Sequence, residues 1–311
     1  MTTRQLFVLV GLAVLWGGSF LFIKVLVDGG IEPLGVSAGR TGLGFLTIAP
    51  FAWLARSRFP RDRRSWLLLA GLGFLNFALP WTLFGVAAQH APSGASSIAN
   101  SSQPLWSAIF GTILLKTDRL NGIRLAGLGV GFAGVILLMG EDMLSAGSSG
   151  STAVLVMLGA TMCYGISAVS IRRFLTHVPA VALAIGQLGF ATLYLWPAAL
   201  FTGAFATAEL GAGQWASLFA LGCAGSGFGV LAYMWLIGEV GPVRAAVVTY
   251  LMPPLGVFLG WLVLGEPVGW NLVGGLACVV AGVALVQGLP LRRWFVRPRS
   301  PAAARSPAPI D

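Results

Sequence analysis

LAGLGVGFAGVILLMG, residues 125–140, and VGGLACVVAGVALVQG, residues 273–288, are apolar stretches that align without a gap at a shift of 148 positions. Gly127, Leu128, Ala133, Gly134 and Val135 fall on Gly275, Leu276, Ala281, Gly282 and Val283. Both stretches are rich in small residues, which let helix backbones approach closely in lipid. The same shift places Gly17 on Gly165 and Lys24 on Arg172, and a slightly smaller one places Pro33 on Pro179. A shift of 150 sets Pro92 and Ala95 on Pro242 and Ala245, and Pro104 on Pro254. The chain therefore reads as two copies of one unit.

Outward from these stretches, apolar runs near 20 residues recur along almost the whole length, each long enough at about 1.5 Å per residue to cross a hydrocarbon core of roughly 30 Å. Charged or Pro/Gly-rich breaks divide them into spans at 5–27, 34–55, 66–88, 93–115, 121–139, 152–171, 180–202, 214–237, 243–264 and 269–289. Five spans per copy force the two copies into opposite orientation. The expected fold is all-α: a polytopic membrane protein of ten transmembrane helices in two inverted five-helix repeats, residues 1–140 and 151–289. The tail 290–311, rich in Pro, Ala and Arg, is expected to be disordered, cytoplasmic and close to anionic lipid.

Composition agrees. The chain is 57% hydrophobic and 9% charged, where soluble domains carry about 25% charge; it could not cover its own surface in water. The net charge of +9 is explained by distribution. With the N-terminus in the cytoplasm, 17 of the 19 Lys and Arg fall on cytoplasmic segments, while the opposite loops hold Asp28, Glu32, Glu141, Asp142, Glu209 and Glu266 and no basic residue. The positive-inside rule then predicts both termini in the cytoplasm, in an inner (plasma) membrane, and the basic residues are topology anchors with no nucleic-acid role. The N-terminal run continues past Phe22 without a small-residue cleavage site and is taken as the first helix. Cys163, Cys223 and Cys278 sit inside apolar spans without nearby His, so neither metal, cofactor nor disulfide is expected.

At this point the sequence resembles the EamA-type, ten-helix members of the drug/metabolite transporter superfamily, from about Leu6 to Gly288. The resemblance is carried by WGGSF at 16–20, Arg40 of the second span, APSGAS at 91–96, LMPPLGVFLGWLVLGEPVGW at 251–270 and the closing VGGLACVVAGVAL. It implies paired EamA repeats around a membrane-embedded cavity, and secondary transport of amino acids, related metabolites or drugs. It does not imply one substrate.

Polar side chains at membrane depth are costly and mark cavities or helix contacts. The densest group is on the fourth span, where Ser96, Asn100 and Gln103 lie at i, i+4 and i+7, on one helical face, ahead of Pro104. They are candidates for one wall of a substrate cavity; interhelical hydrogen bonding is the alternative. The ninth span carries Thr249 and Tyr250 ahead of Pro253 and Pro254. Mid-helix proline removes a backbone hydrogen bond and bends the helix, which makes Pro104, Pro253 and Pro254 the gating candidates. Trp16, Tyr164 and Tyr250 are candidate aromatic contacts, with Trp81, Trp106 and Trp235 nearby in type, and Asn76 and Gln187 are further polar candidates. Arg40, about 10 Å deep by helical rise, would meet an anionic group of a substrate or bond carbonyls of a neighbouring helix. Lys24 would, like Arg40, neutralise a carboxylate or phosphate of a substrate, or snorkel toward the interface beside Asp28. Gly274, Cys278 and Gly282 form a small-residue stripe that would pack within the bundle or between two protomers.

All ten acidic residues fall in loops, span ends or the tail, and His90 and His177 lie in loops. Carboxylate-based proton antiport, as in a proton-coupled multidrug exporter, is therefore less favoured than a plainer metabolite carrier. A membrane-embedded enzyme would need paired Asp, Ser with His, or metal ligands at depth, and the sequence offers none. A channel would be expected to bring a filter motif and subunit symmetry, which the sequence does not supply; a channel-like facilitator of the same fold stands beside the proton-coupled exporter as the alternative. The expected partners are a small-molecule substrate and the bilayer, with the chain as a monomer or homodimer.

Overall fold

The computed structural model describes residues 1–54, 59–115, 121–138, 149–205, 210–240, 245 and 247–287. Arg56, Arg58, Lys116, Asp118, Arg119, Glu141, Asp142, Glu209, Arg244 and the tail 290–311, all used in the orientation and tail readings above, lie outside the described residues. Among the described residues all regular structure is helical. The segments are α1 (Thr3–Gly17), α2 (Ser19–Asp28), α3 (Pro33–Leu54), α4 (Arg63–Gly73), a π-helical turn Phe74–Ala78, α5 (Leu79–Ala88), α6 (Ser93–Asn100), α7 (Gln103–Leu115) and α8 (Gly122–Leu137). They continue as α9 (Ser149–Phe174), α10 (Ala180–Thr202), α11 (Ala212–Phe219), a second π stretch Ala220–Phe228, α12 (Gly229–Val240), α13 (Val248–Leu264) and α14 (Trp270–Gln287). Helix occupies each apolar run marked in the sequence. Five stretches, Thr3–Asp28, Arg63–Ala88, Ser149–Phe174, Ala180–Thr202 and Ala212–Leu236, are long and apolar enough to cross a membrane by themselves.

The packing is turned outward relative to a water-soluble protein. Phe201 is 94% exposed and Phe7 79%, and Leu46, Leu155 and Leu200 also face out. Meanwhile Ser97, Ser102, Thr41, Thr161, Ser167 and Gln187 are buried. Lipid tails solvate the former and cannot hydrogen-bond the latter, so the polar groups turn inward. The chain is a multi-pass membrane protein.

The two matched glycine-rich stretches, α8 and α14, pack against each other. A Cβ at Gly134 would lie 2.7 Å from Cys278 Cβ, and one at Gly127 would lie 2.8 Å from the Gly282 carbonyl oxygen. A Cβ at Gly282 would overlap the Gly131 backbone. The Gly274, Cys278 and Gly282 stripe is thus used within the bundle, and the reading of it as a contact between protomers is not needed to explain it.

A second crossing joins α6 to α13. Ser97 Oγ donates to the Met252 carbonyl at 3.2 Å, and Gly256 receives the Ser97 side chain in a space no Cβ could share. At the end of α13, Glu266 folds over the start of α6. Its carboxylate accepts from the Ser93 N–H at 2.7 Å, the Ser93 hydroxyl at 2.9 Å and the Gly94 N–H at 3.2 Å. These are amides that helix geometry leaves without an intrahelical partner, and the N-terminal dipole favours the negative charge. On the same side of the bundle Lys24 donates to Asp28 and to the Ala88 carbonyl, both at 2.9 Å, as snorkelling predicts.

Two outcomes follow. Gly282→Val should cost about 3 kcal/mol or more, read as a lower melting temperature of the detergent-solubilised protein. Gly129→Ala on α8, where a Cβ meets nothing within 4 Å, should leave that temperature unchanged; equal effects would refute the close-approach account. Glu266→Ala should cost on the order of 1–3 kcal/mol by orphaning the α6 amides, and Glu266→Gln, which keeps one carbonyl acceptor, should cost less.

Candidate functional site

A cavity of about 360 Å³ lies at the centre of the bundle. Its walls come from α1 and α2 (Trp16, Ser19, Phe20, Ile23), α3 (Arg40), the first π turn and α5 (Asn76, Phe77, Trp81, Phe84), α6 and α7 (Asn100, Gln103) and α9 (Tyr164). The second π stretch, α12 and α13 add Gly225, Ser226, Val230, Tyr233, Thr249 and Met252. Several wall segments are irregular where they meet the space, while Arg40 and Tyr164 reach it from the continuous helices α3 and α9. α1 and α2 part at Gly18, α6 and α7 part at Ser101 and Ser102, and both π stretches reach the cavity. Such interruptions turn polar groups away from the regular helical ladder and toward a site.

The WGGSF segment shows how sequence becomes wall. Gly17 lies where a Cβ would meet the Met252 carbonyl oxygen at 2.8 Å, so a side chain there would push α1 off α13. Trp16 then faces the cavity, its indole N–H donating to the Gly225 carbonyl at 2.9 Å and its ring set edge-on to Tyr233 at 5.1 Å. Ser19 donates to the Leu15 carbonyl across the break, and Phe20 meets Phe84 edge-on. Tyr164 stacks on Phe84 at 6.3 Å.

Arg40 is the one lining residue with a full charge. Its Nε donates to Ser226 Oγ at 2.9 Å, and its guanidinium carbon stands 3.7 Å from the centroid of the Trp81 ring. Ser226 in turn donates to the Leu221 carbonyl at 2.9 Å inside the π stretch. Glycine makes this reach possible: a Cβ at Gly222 would overlap Leu43, and one at Gly227 would overlap Thr47, so α3 lies close along the π stretch. Among the described residues Lys24–Asp28 is the only salt bridge and no carboxylate lines the cavity.

Of the candidates named from sequence, Trp16, Arg40, Asn76, Asn100, Gln103 and Tyr164 line the space. Asn76 spends one amide hydrogen on the Gln187 oxygen at 3.0 Å, and Gln187 lies buried behind it and off the wall. Ser96 is also off the wall, its hydroxyl turned to the Pro92 carbonyl of its own helix. The single face read for Ser96, Asn100 and Gln103 does not persist, because helix stops at Asn100 and restarts at Gln103. Tyr250 packs with the apolar group around Ile98 and Leu105, and its neighbour Thr249 faces the cavity in its place. Pro104 sits in the first turn of α7, where its missing N–H costs little. Pro253 and Pro254 lie inside α13, which runs on through both. Pro253 cannot donate to the carbonyl of residue 249, on the cavity wall.

Trp106 bonds Thr161 at 3.1 Å, and Trp235 lies under Arg4, both away from the site. Ser226, Trp81, Phe84 and Tyr233 complete it. The Gly-rich run around Ser226, LGCAGSGFG at 221–229, is the signal that would have drawn attention to the π stretch. Among the described residues no group of three His, Cys, Asp or Glu could hold a metal ion.

The chain matches the EamA-like transporter family over residues 3–140 and 151–287. It is 28% identical over 294 residues to the inner membrane transporter YedA of Escherichia coli, covering 92% of this chain and 93% of that one. It is 22% identical over 281 residues to the transporter YoaV of Bacillus subtilis, covering 88% and 94%. A protein of Streptantibioticus cattleyicolor named as a probable terminal-alkyne amino-acid exporter is 26% identical over 295 residues, covering 94% and 96%. A solved crystal structure shares the fold with a TM-score of 0.62 at 20% identity, covering 95% of this chain and all of that one. With the family matched over both halves of the sequence and a central cavity walled by both, this protein belongs to the EamA-like transporter family.

Proposed function

We propose that the protein is a secondary transporter and not an enzyme, one that exports small polar or aromatic metabolites, amino acids or their relatives, by alternating access. The observation that carries this reading is the central cavity, whose wall combines amides (Asn76, Asn100, Gln103) with aromatic faces (Trp16, Trp81, Tyr164). Amides orient a polar solute and aromatic faces accept its apolar body. A relative named as an amino-acid exporter supports the substrate class, and a relative named as an inner membrane transporter supports that location.

In this reading the chain crosses the membrane ten times in two inverted units, residues 1–140 and 151–289, with both termini cytoplasmic. Inverted units can exchange conformations and so expose one central site to either side. Support comes from the paired interruptions: π stretches occur at Phe74–Ala78 and Ala220–Phe228, near equivalence at the repeat shift. The break before Pro104 and the Pro253–Pro254 pair in α13 are the hinge positions.

Proton coupling through a buried carboxylate is the alternative, as in a multidrug exporter, and the carboxylate-free wall weighs against it.

The test is purified protein in liposomes, assayed with amino acids, amines and nucleosides. Saturable uptake stimulated by counterflow is expected; unsaturable electrical conductance would end the carrier reading. For the solute moved, Asn100→Ala and Gln103→Ala should each lower transport efficiency about 5- to 10-fold, the worth of one hydrogen bond, and wild-type rates from both would remove this wall from the site. A pH gradient imposed at zero potential should change initial rates less than twofold. A larger response would return the proton-coupled reading to first place.

A further inference from the structure

We propose that the cavity takes its solute by a carboxylate, with Arg40 as the resident counter-charge, so that the preferred cargo is a small monocarboxylate with an apolar or aromatic body. This rests on the carrier reading above and narrows its substrate class.

Guanidinium has five N–H donors in a planar fork that matches two carboxylate oxygens. One is used, Nε on Ser226, and the Trp81 ring covers one face of the plane. Among the described residues the two Nη atoms meet no acceptor and no acidic partner. A purely structural arginine at membrane depth would bond helix carbonyls or a carboxylate; this one is held at its stem and presents its fork to a space of about 360 Å³. Ser226 and Trp81 fix the direction of the fork, which is the geometry of a positioned anion site. The opposite charge has no matching seat, since the wall holds no carboxylate to receive an ammonium. Phe84 and Tyr164, stacked at 6.3 Å, supply the apolar surface for the rest of the solute.

The empty site carries +1 and the loaded site is neutral. Each export cycle therefore moves one negative charge outward, and an inside-negative potential of 100 mV favours that movement about 50-fold. Export of a carboxylate needs no proton and no second ion, which accounts for a wall without acidic residues.

The experiment uses the full-length protein with three phenyl-bearing probes that differ in charge: phenylacetate, phenylethylamine and phenylalaninamide. Wild type should bind phenylacetate at least 10-fold more tightly than either amine-bearing probe in a calorimetric titration in detergent. Arg40→Gln should lose phenylacetate binding about 10- to 100-fold, the worth of a charge-assisted pair. Arg40→Lys should keep the preference for the anion with reduced affinity, since an ammonium lacks the fork. In proteoliposomes a potassium-diffusion potential should change phenylacetate flux in wild type. Equal binding of anion and amine, unchanged phenylacetate binding in folded Arg40→Gln, no binding of phenylacetate to wild type, or flux indifferent to potential would each overturn the proposal. Transport of an amine or nucleoside undiminished by Arg40→Gln would overturn it while leaving the carrier reading intact; failure of every solute to be carried would overturn both.

Discussion

A hydrocarbon solvent offers no hydrogen bonds, and that single constraint arranges the rest of this molecule. Each backbone amide must be satisfied along its own helix or by a neighbour, and each polar side chain must find protein. Phe201, Phe7 and Leu46 can therefore stand in lipid, while Ser97, Ser102, Thr161 and Gln187 are taken inside and bonded. Polar groups driven inward from many helices collect where the helices are least regular, and the cavity lies there. The site is in this sense a by-product of packing, refined by the few residues that do not satisfy one another.

Close packing without a hydrophobic driving force needs helices that touch at the backbone, and glycine supplies the contact. Between α8 and α14 it serves cohesion alone. Between α3 and the π stretch, Gly222 and Gly227 bring Arg40 to Ser226 and so place a charge in the cavity. Gly17 sets Trp16 against Gly225 in the same manner. The same device holds the frame and aims the site, which is why family motifs dominated by small residues describe packing and function together.

How far the sequence reveals this depends on what the physics leaves in one dimension. Helical runs were legible because apolar length is a local property, and their ends moved by a few residues, as from 66–88 to Arg63–Ala88. The Gly127 and Gly275 stretches were legible as a matched pair, though not that they would meet each other. Arg40, Asn100 and Gln103 stood out because charge and amides at membrane depth are rare. Tyr250 shows the limit. One residue along a helix turns a side chain by about 100°, so which of Thr249 and Tyr250 faces the cavity depends on the rotation of α13 about its axis. The contacts of Gly256 with Ser97 and of Met252 with Gly17 set that rotation, and both are long-range. Ser226 was harder still, because π turns arise from where a neighbour presses on the helix and carry no fixed spacing in the sequence; Asn76 was legible as an amide at membrane depth, though not the π turn that carries it.

A carrier must bind its solute well enough to select it and weakly enough to release it, and the surroundings of Arg40 bear on that balance. A bare guanidinium at membrane depth costs about 2.5 to 3.5 kcal/mol by insertion scales, and an anion that relieved all of it would be slow to leave. Here the cost is partly met in the empty site. The Trp81 face lies 3.7 Å away, a distance at which a partly desolvated cation–π contact contributes about 1 to 2 kcal/mol. Ser226 contributes a hydrogen bond of about 0.5 to 1.5 kcal/mol net. The carboxylate proposed as cargo then adds its own charge-assisted pair, about 1.5 to 3 kcal/mol, without also relieving the whole cost of the buried charge. An arginine stabilised by neutral partners is therefore better suited to turnover than one paired with a carboxylate of the protein, which would compete with the solute, or one left alone, which would hold it.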